Sequence, residues 1–156
     1  MTEQHIITAE AVIEAPAETI FELIANPSRQ PEWDGNDNLV AAEGQERVRH
    51  EGDVFAMEIH NGTVRDNLVT EFVEGERIAW APATQGEAPA GHLWRWELEP
   101  VSERENEATL VRHTYDWTKL RDEQRMRRAR ATQAENLLAS IRRLGALAER
   151  EAQAGK

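Results

Sequence analysis

His92-Leu93-Trp94-Arg95-Trp96-Glu97-Leu98-Glu99 carries His92, Trp94, Trp96 and Leu98 on one parity and Arg95, Glu97 and Glu99 on the other. A period of two with one charged side describes a half-buried strand. Ala108–Trp117 repeats the pattern, with Val111, His113, Tyr115 and Trp117 opposed to Arg112, Thr114 and Asp116. A turn centred near Glu103-Arg104 pairs the two strands so that Trp96 faces Val111, Trp94 faces His113 and His92 faces Tyr115. Both aromatic sets then share one face, and a slip of one residue would separate them.

The flanking sequence extends the sheet. Asn61-Gly62 is a strong hairpin signal, because both positions of a type I′ turn need positive φ. A two-residue loop there pairs Ile59 with Val64, Met57 with Asp66 and Phe55 with Leu68, which places Asp66, Leu68, Thr70 and Phe72 on the apolar side. A register shifted by one would instead turn Asp66 to solvent. Glu74-Gly75-Glu76 turns into Arg77–Ala81, with Ile78 and Trp80 meeting Phe72 and Thr70; Leu39–Glu43 is a weaker strand. Ile6–Glu14 alternates as a first strand. Pro16 and Glu18 then suit a helix start, and Asn26-Pro27 ends that helix. Ser28 caps a second short helix through Trp33. The tail reads as one long helix from about Thr118 or Asp122 to Glu151, buried along Ala134, Leu137, Leu138, Ile141, Leu144, Gly145 and Ala148. Consecutive strands on short turns make an antiparallel sheet, and this helix is the element long enough to cover it.

The 156 residues fit a single domain over 1–156, and the absence of cysteine excludes disulfides, cysteine-ligated zinc and a thiol nucleophile. A net charge of −11 argues against nucleic-acid binding and against anionic membranes. No apolar run approaches the ~18 residues of a membrane span. The expected setting is cytoplasmic, as a monomer or homodimer. Five of the nine aromatic residues are tryptophan. Trp80, Trp94 and Trp96 are expected on the inner wall, with Trp33 and Trp117 clamping helix ends. Arginines 121, 125, 127, 128 and 130 read as a solvated helix face, with a phosphate or acidic-partner site as the alternative.

Ala11-Val12-Ile13-Glu14-Ala15-Pro16-Ala17-Glu18-Thr19-Ile20-Phe21 and Asn26-Pro27-Ser28-Arg29-Gln30-Pro31-Glu32-Trp33-Asp34 resemble the opening of START-like (SRPBCC) proteins of the polyketide cyclase/dehydrase group. Arg77-Ile78-Ala79-Trp80, Trp94–Pro100 and Thr114-Tyr115-Asp116-Trp117 resemble that group's later strand motifs. The resemblance implies an α+β helix-grip fold: a curved antiparallel sheet of about seven strands around a long C-terminal helix, with two short helices after the first strand. Proteins of this superfamily bind lipids, hormones and quinones, cyclise polyketides or assist other proteins, so the fold leaves the activity open.

On these registers the ligand-binding wall is Phe55, Met57, Leu68, Thr70, Trp80, His92, Trp94 and Trp96, closed by Leu138 and Ile141 of the helix. It is apolar with a few polar groups, as small-molecule cavities are. The first function it suggests is binding of a small hydrophobic or aromatic ligand: a lipid, isoprenoid or polyketide. The alternative is an aromatase/cyclase or dehydratase working without cofactor or metal. There Asp66 or His113 would be the base, and Tyr115 or His92 would polarise a carbonyl. A co-chaperone-like interaction module is a third reading. Kinases, dehydrogenases and triad hydrolases are disfavoured, since no phosphate loop, dinucleotide fingerprint or nucleophile motif is present.

Overall fold

The structure is a computed structural model and describes residues 5–35, 37–42, 46–101 and 108–154. One seven-stranded sheet has the order β1-β7-β6-β5-β4-β3-β2, with every neighbouring pair antiparallel. The strands are β1 (Ile6–Ile13), β2 (Leu39–Ala41), β3 (Val54–Ile59), β4 (Val64–Val73), β5 (Arg77–Thr84), β6 (Leu93–Pro100) and β7 (Thr109–Asp116). After β1 come α1 (Ala17–Ala25), a 3-10 turn (Pro27–Arg29) and α2 (Gln30–Trp33); the chain ends in α3 (Glu123–Ala131) and α4 (Ala134–Ala154). This is the helix-grip architecture expected from the sequence, with α4 held in a curved antiparallel sheet. Among the described residues no helix is long and apolar enough to cross a membrane.

The core lies between the sheet and helices α1 and α4. Ile20, Phe21, Leu23 and Ile24 of α1 are fully enclosed, as are Leu137, Ile141 and Leu144 of α4. The buried residues Leu137, Ser140, Ile141, Leu144, Gly145 and Ala148 recur every three or four positions, the spacing of one helix face. Leu138 is only half-buried and Ala134 is exposed, so both fall off the stripe assigned to them.

Four details depart from the sequence reading. First, the long C-terminal helix is broken. Thr132 is extended (φ −78°, ψ 118°), its hydroxyl donates to the Arg128 carbonyl, and the Asn136 side chain accepts the Gln133 N–H. Free side-chain partners for the backbone on both sides make a helix break inexpensive.

Second, the β3–β4 loop has three residues. Ile59 N–H donates to the Thr63 carbonyl at 2.9 Å, and Gly62 takes the left-handed position at φ +86°. The ladder therefore runs Glu58↔Val64, Met57↔Arg65, Ala56↔Asp66 and Phe55↔Asn67. Arg65, Asn67 and Val69 share the inner face with Phe55, Met57 and Ile59, while Asp66 and Leu68 face outward. Third, a bulge at Thr70 flips the parity of β4, so Val69 lies opposite Trp80, Glu71 opposite Ala79 and Phe72 opposite Ile78. Thr70 is carried away from the inner wall, and Phe72 packs edge-on against Phe21 at 5.6 Å. Fourth, β6 and β7 pair two residues away from the expected register, with Trp94↔Tyr115, Trp96↔His113 and Leu98↔Val111. A two-residue shift preserves every facing, so parity alone could not detect it. The expected turn at Glu103-Arg104 lies outside the described residues.

Candidate functional site: a cavity under the C-terminal helices

Between the inner face of β3–β7 and helices α2, α3 and α4 lies a cavity of about 710 Å³. Its floor is an aromatic column across β6 and β7. Trp96 stacks on His113 at 3.7 Å, and Trp94 stacks on Tyr115 at 4.1 Å. Trp33 meets Trp96 edge-on at 5.2 Å, and Phe55 supports Trp80 the same way at 5.4 Å. Offset and edge-on contacts of this kind contribute about 0.5–1.5 kcal/mol each beyond the area they bury. The mouth lies between the β3–β4 hairpin and α3, where the exposed residues Asn61, Thr63, Asp122, Gln124, Arg128 and Ala131 reach the cavity.

Close packing at two glycines sets the walls. The Gly35 N–H donates to Ser140 Oγ at 2.7 Å, and a Cβ on Gly35 would stand 2.5 Å from the Asn136 carbonyl oxygen. That approach holds the end of α2, with Trp33 and Asp34, against α4. Trp33 Nε1 donates to the Leu23 carbonyl at 3.0 Å, so this ring clamps α2 as expected and also lines the cavity. Gly91 (φ +115°) lies so close to the β7–α3 connection that a Cβ would stand 2.2 Å from the Lys119 carbonyl oxygen. His92 is thereby brought to the cavity wall.

Of the residues singled out from the sequence, Met57, Trp80, His92, Trp94, Trp96, His113 and Tyr115 line the cavity. Phe55 and Ile141 are buried behind it in the core. Asp66, Leu68, Thr70 and Leu138 do not line it. Asp66 lies on the outer face, where its carboxylate accepts the Gly86 N–H at 3.4 Å. The cavity polar groups the sequence reading missed are mainly Gln30, Asp34, Arg65, Asn67, Arg125, Arg128, Asn136 and Ser140. Arg65 and Asn67 were lost to the one-residue register error. A three-residue loop ending in Gly62 was the available signal, since a left-handed glycine after a type I turn is a common hairpin form.

The titratable groups are held neutral at the floor. His113 is fully enclosed, and burial pushes it down to about 3 against a smaller upward pull from the Arg95 carbonyl. Its Nδ1 lies 3.0 Å from that carbonyl oxygen, so Nδ1 carries the proton and Nε2 is bare. Burial lowers His92 to about 4, and the Arg125 and Arg65 charges act in the same sense. Burial raises the Tyr115 phenol to about 12, opposed by Arg128 and Arg125. Among the described residues no group of three or more His, Asp or Glu side chains is placed to hold a metal ion. Three buried polar atoms of cavity-lining residues, His92 Nδ1, Trp96 Nε1 and Arg125 Nη1, have no hydrogen-bond partner. Such groups cost stability when left unmet.

A sheet gripping a C-terminal helix over a cavity is the architecture of START-like proteins. Solved structures with this fold include a START superfamily protein from Mycobacterium smegmatis (17% identity, 94% of this chain and 99% of that chain, TM-score 0.64). The Zhui aromatase/cyclase from a Streptomyces species is similar over 93% of both chains, with 14% identity and a TM-score of 0.67. A Chromobacterium violaceum protein is similar at 20% identity over 93% of this chain and 97% of its own, with a TM-score of 0.64. No curated protein matches the chain. Residues 4–149 match the family model described as polyketide cyclase / dehydrase and lipid transport, and the chain belongs to that family.

Proposed function

We propose that the protein binds a small hydrophobic or aromatic molecule, such as a lipid, isoprenoid or polyketide-like compound, in the cavity beneath α3 and α4. The observation that carries this reading is the floor: a cavity of about 710 Å³ lined by Met57, Trp80 and the stacked Trp94, Trp96, His113 and Tyr115 rings. That volume falls within the roughly 300–1,000 Å³ of small-molecule sites. Enclosing about 300 Å² of apolar ligand surface supplies roughly 7 kcal/mol before the costs of association are deducted. His92 and Asn67 would orient the polar part of the ligand.

A cofactor-independent cyclase or dehydratase is the second reading, favoured by one observation. His92 is neutral, its Nδ1 is unpartnered, and its ring stands edge-on to Tyr115 at 5.9 Å. A neutral imidazole offers one donor and one acceptor, and a protonated phenol offers a donor, which together suffice for enolisation of a bound carbonyl compound. His92 then replaces Asp66 as the base, and His113, already committed to the Arg95 carbonyl, positions Trp96.

Native mass spectrometry of gently purified protein, with calorimetric titration of naphthalene derivatives, tests the binding reading. Ala131→Trp places a ring at the exposed mouth, where it fits without disturbing the core. Loss of probe binding in this folded variant is expected. Unaltered binding in Ala131→Trp would overturn the cavity as the site.

A further inference from the structure

The chain has 29 acidic residues against 18 Lys and Arg, yet three arginines converge on the cavity mouth. Arg65 comes from β4; Arg125 and Arg128 come from α3. Arg65 Nη1 donates to Thr84 Oγ1 at 3.2 Å, and Arg125 Nη2 donates to the same hydroxyl. One hydroxyl oxygen therefore holds two guanidinium groups. Arg125 Nη1 is buried and has no hydrogen-bond partner. Among the described residues, no carboxylate lies within ion-pair distance of Arg65 or Arg128.

Two carboxylates line the cavity, and both are engaged. Asp122 Oδ2 is 3.6 Å from Arg125 Nε, and its Oδ1 accepts the N–H groups of Gln124 and Arg125 at the start of α3. Asp34 Oδ2 accepts the N–H groups of Asn38 and Leu39 at the opposite element, α2. Burial lowers Arg65, the Arg125 and Arg128 charges lower it further, and Asp122 alone opposes them. Three like charges in a partly buried place raise the free energy of the empty site. A bound anion reverses the sign of that cost. Guanidinium forks also match the two oxygens of a carboxylate or phosphate.

We infer that the cavity selects an amphipathic ligand whose anionic oxygen group, a carboxylate or a phosphate, is held at the mouth by Arg65, Arg125 and Arg128 while its apolar body lies against the Trp94 ring. This rests on the binding reading above and narrows it. The ligand enters body first, and its acid remains beside the hairpin and α3. The outward-facing arginines Arg127 and Arg130 of the same helix do not line the cavity.

Matched probes test it by calorimetry at pH 7.5: naphthalene-2-acetate against naphthalene-2-acetamide, octanoate against octanamide, and 2-naphthyl phosphate. Each acid is expected to bind roughly tenfold or more tightly than its amide. The preference should fall toward one in the double variant Arg65→Gln/Arg128→Gln. It should persist in Arg127→Gln/Arg130→Gln, which removes equal charge outside the cavity. A preference for either carboxylate over its amide supports the inference, and the ranking of 2-naphthyl phosphate against naphthalene-2-acetate identifies the group. Equal affinity of acids and amides overturns the inference and leaves the binding reading standing. Failure of all five probes to bind overturns both. Equal loss of the preference in the two double variants also overturns it, since long-range charge alone would then account for the effect.

Discussion

Acidification from pH 7.5 to 5.0 should remove about 4 kcal/mol of folding stability, and two buried histidines should account for it. The sign follows from linkage. A histidine has an ordinary pKa of 6.5 in the unfolded chain, whereas His113 and His92 lie near 3 and 4 in the fold. Between these values the unfolded chain binds protons that the folded chain refuses. Stability is therefore fully present above 6.5 and declines as pH falls toward the folded values. At pH 5.0 an unfolded histidine gains about 2 kcal/mol from protonation, and a folded one with a pKa of 4 or below gains almost nothing, so each site contributes about 2 kcal/mol of loss. In a chain of this size the pair should lower Tm by about 8–16 °C. Urea unfolding across this pH range gives the free energies, and the histidine Hε1 resonances report each proton directly. His113→Gln should remove about half of the pH dependence whatever it does to the stability at pH 7.5. A flat profile between 7.5 and 5.0, or a His113 resonance titrating above pH 5.5, would refute the account of the floor as a sealed, neutral aromatic stack.

Other consequences are local. Gly91→Ala combines a positive φ with a Cβ 2.2 Å from the Lys119 carbonyl oxygen, and should cost at least about 2 kcal/mol in chemical denaturation. Ser140→Ala leaves the buried Gly35 N–H without its 2.7 Å acceptor, and should cost about 1–3 kcal/mol with little change in secondary structure by circular dichroism. Asp66→Asn removes an outward-facing carboxylate, so affinity for naphthalene probes should stay within about twofold of the parent protein. A tenfold change there would return Asp66 to the cavity.

Much of the fold was legible because it follows from periodicity. Alternation in 92–99 and 108–117 identified the strands and their inner faces, Pro16 and Asn26-Pro27 bracketed α1, and the spacing of Leu137, Ile141, Leu144 and Ala148 identified the grip helix. Seven of the singled-out residues line the cavity for this reason. Features without a period were lost. The Thr132 break depends on which backbone groups the Thr132 and Asn136 side chains satisfy, although Thr132-Gln133-Ala134-Glu135 does carry the spacing of a helix start. The bulge at Thr70 inserts one residue and changes facing without any apolar signal.

The sequence by itself determined most of the elements, the inner faces of β3, β6 and β7, the five-tryptophan emphasis and the family resemblance, since each is a local pattern or a motif. Only the tertiary structure decided the polarity of the site. Side chains alternate along a strand, so one extra loop residue between Ile59 and Thr63 exchanged Asp66 for Arg65 on the inner wall. At that place on the wall a guanidinium stands where a carboxylate was expected. Two more arginines reach it from α3, a helix whose own sequence shows only a charged face. Which of its arginines turn inward is set by where α3 starts and stops, at the Asp122 cap and the Thr132 break, and by the bond from Arg125 to Thr84 of β5.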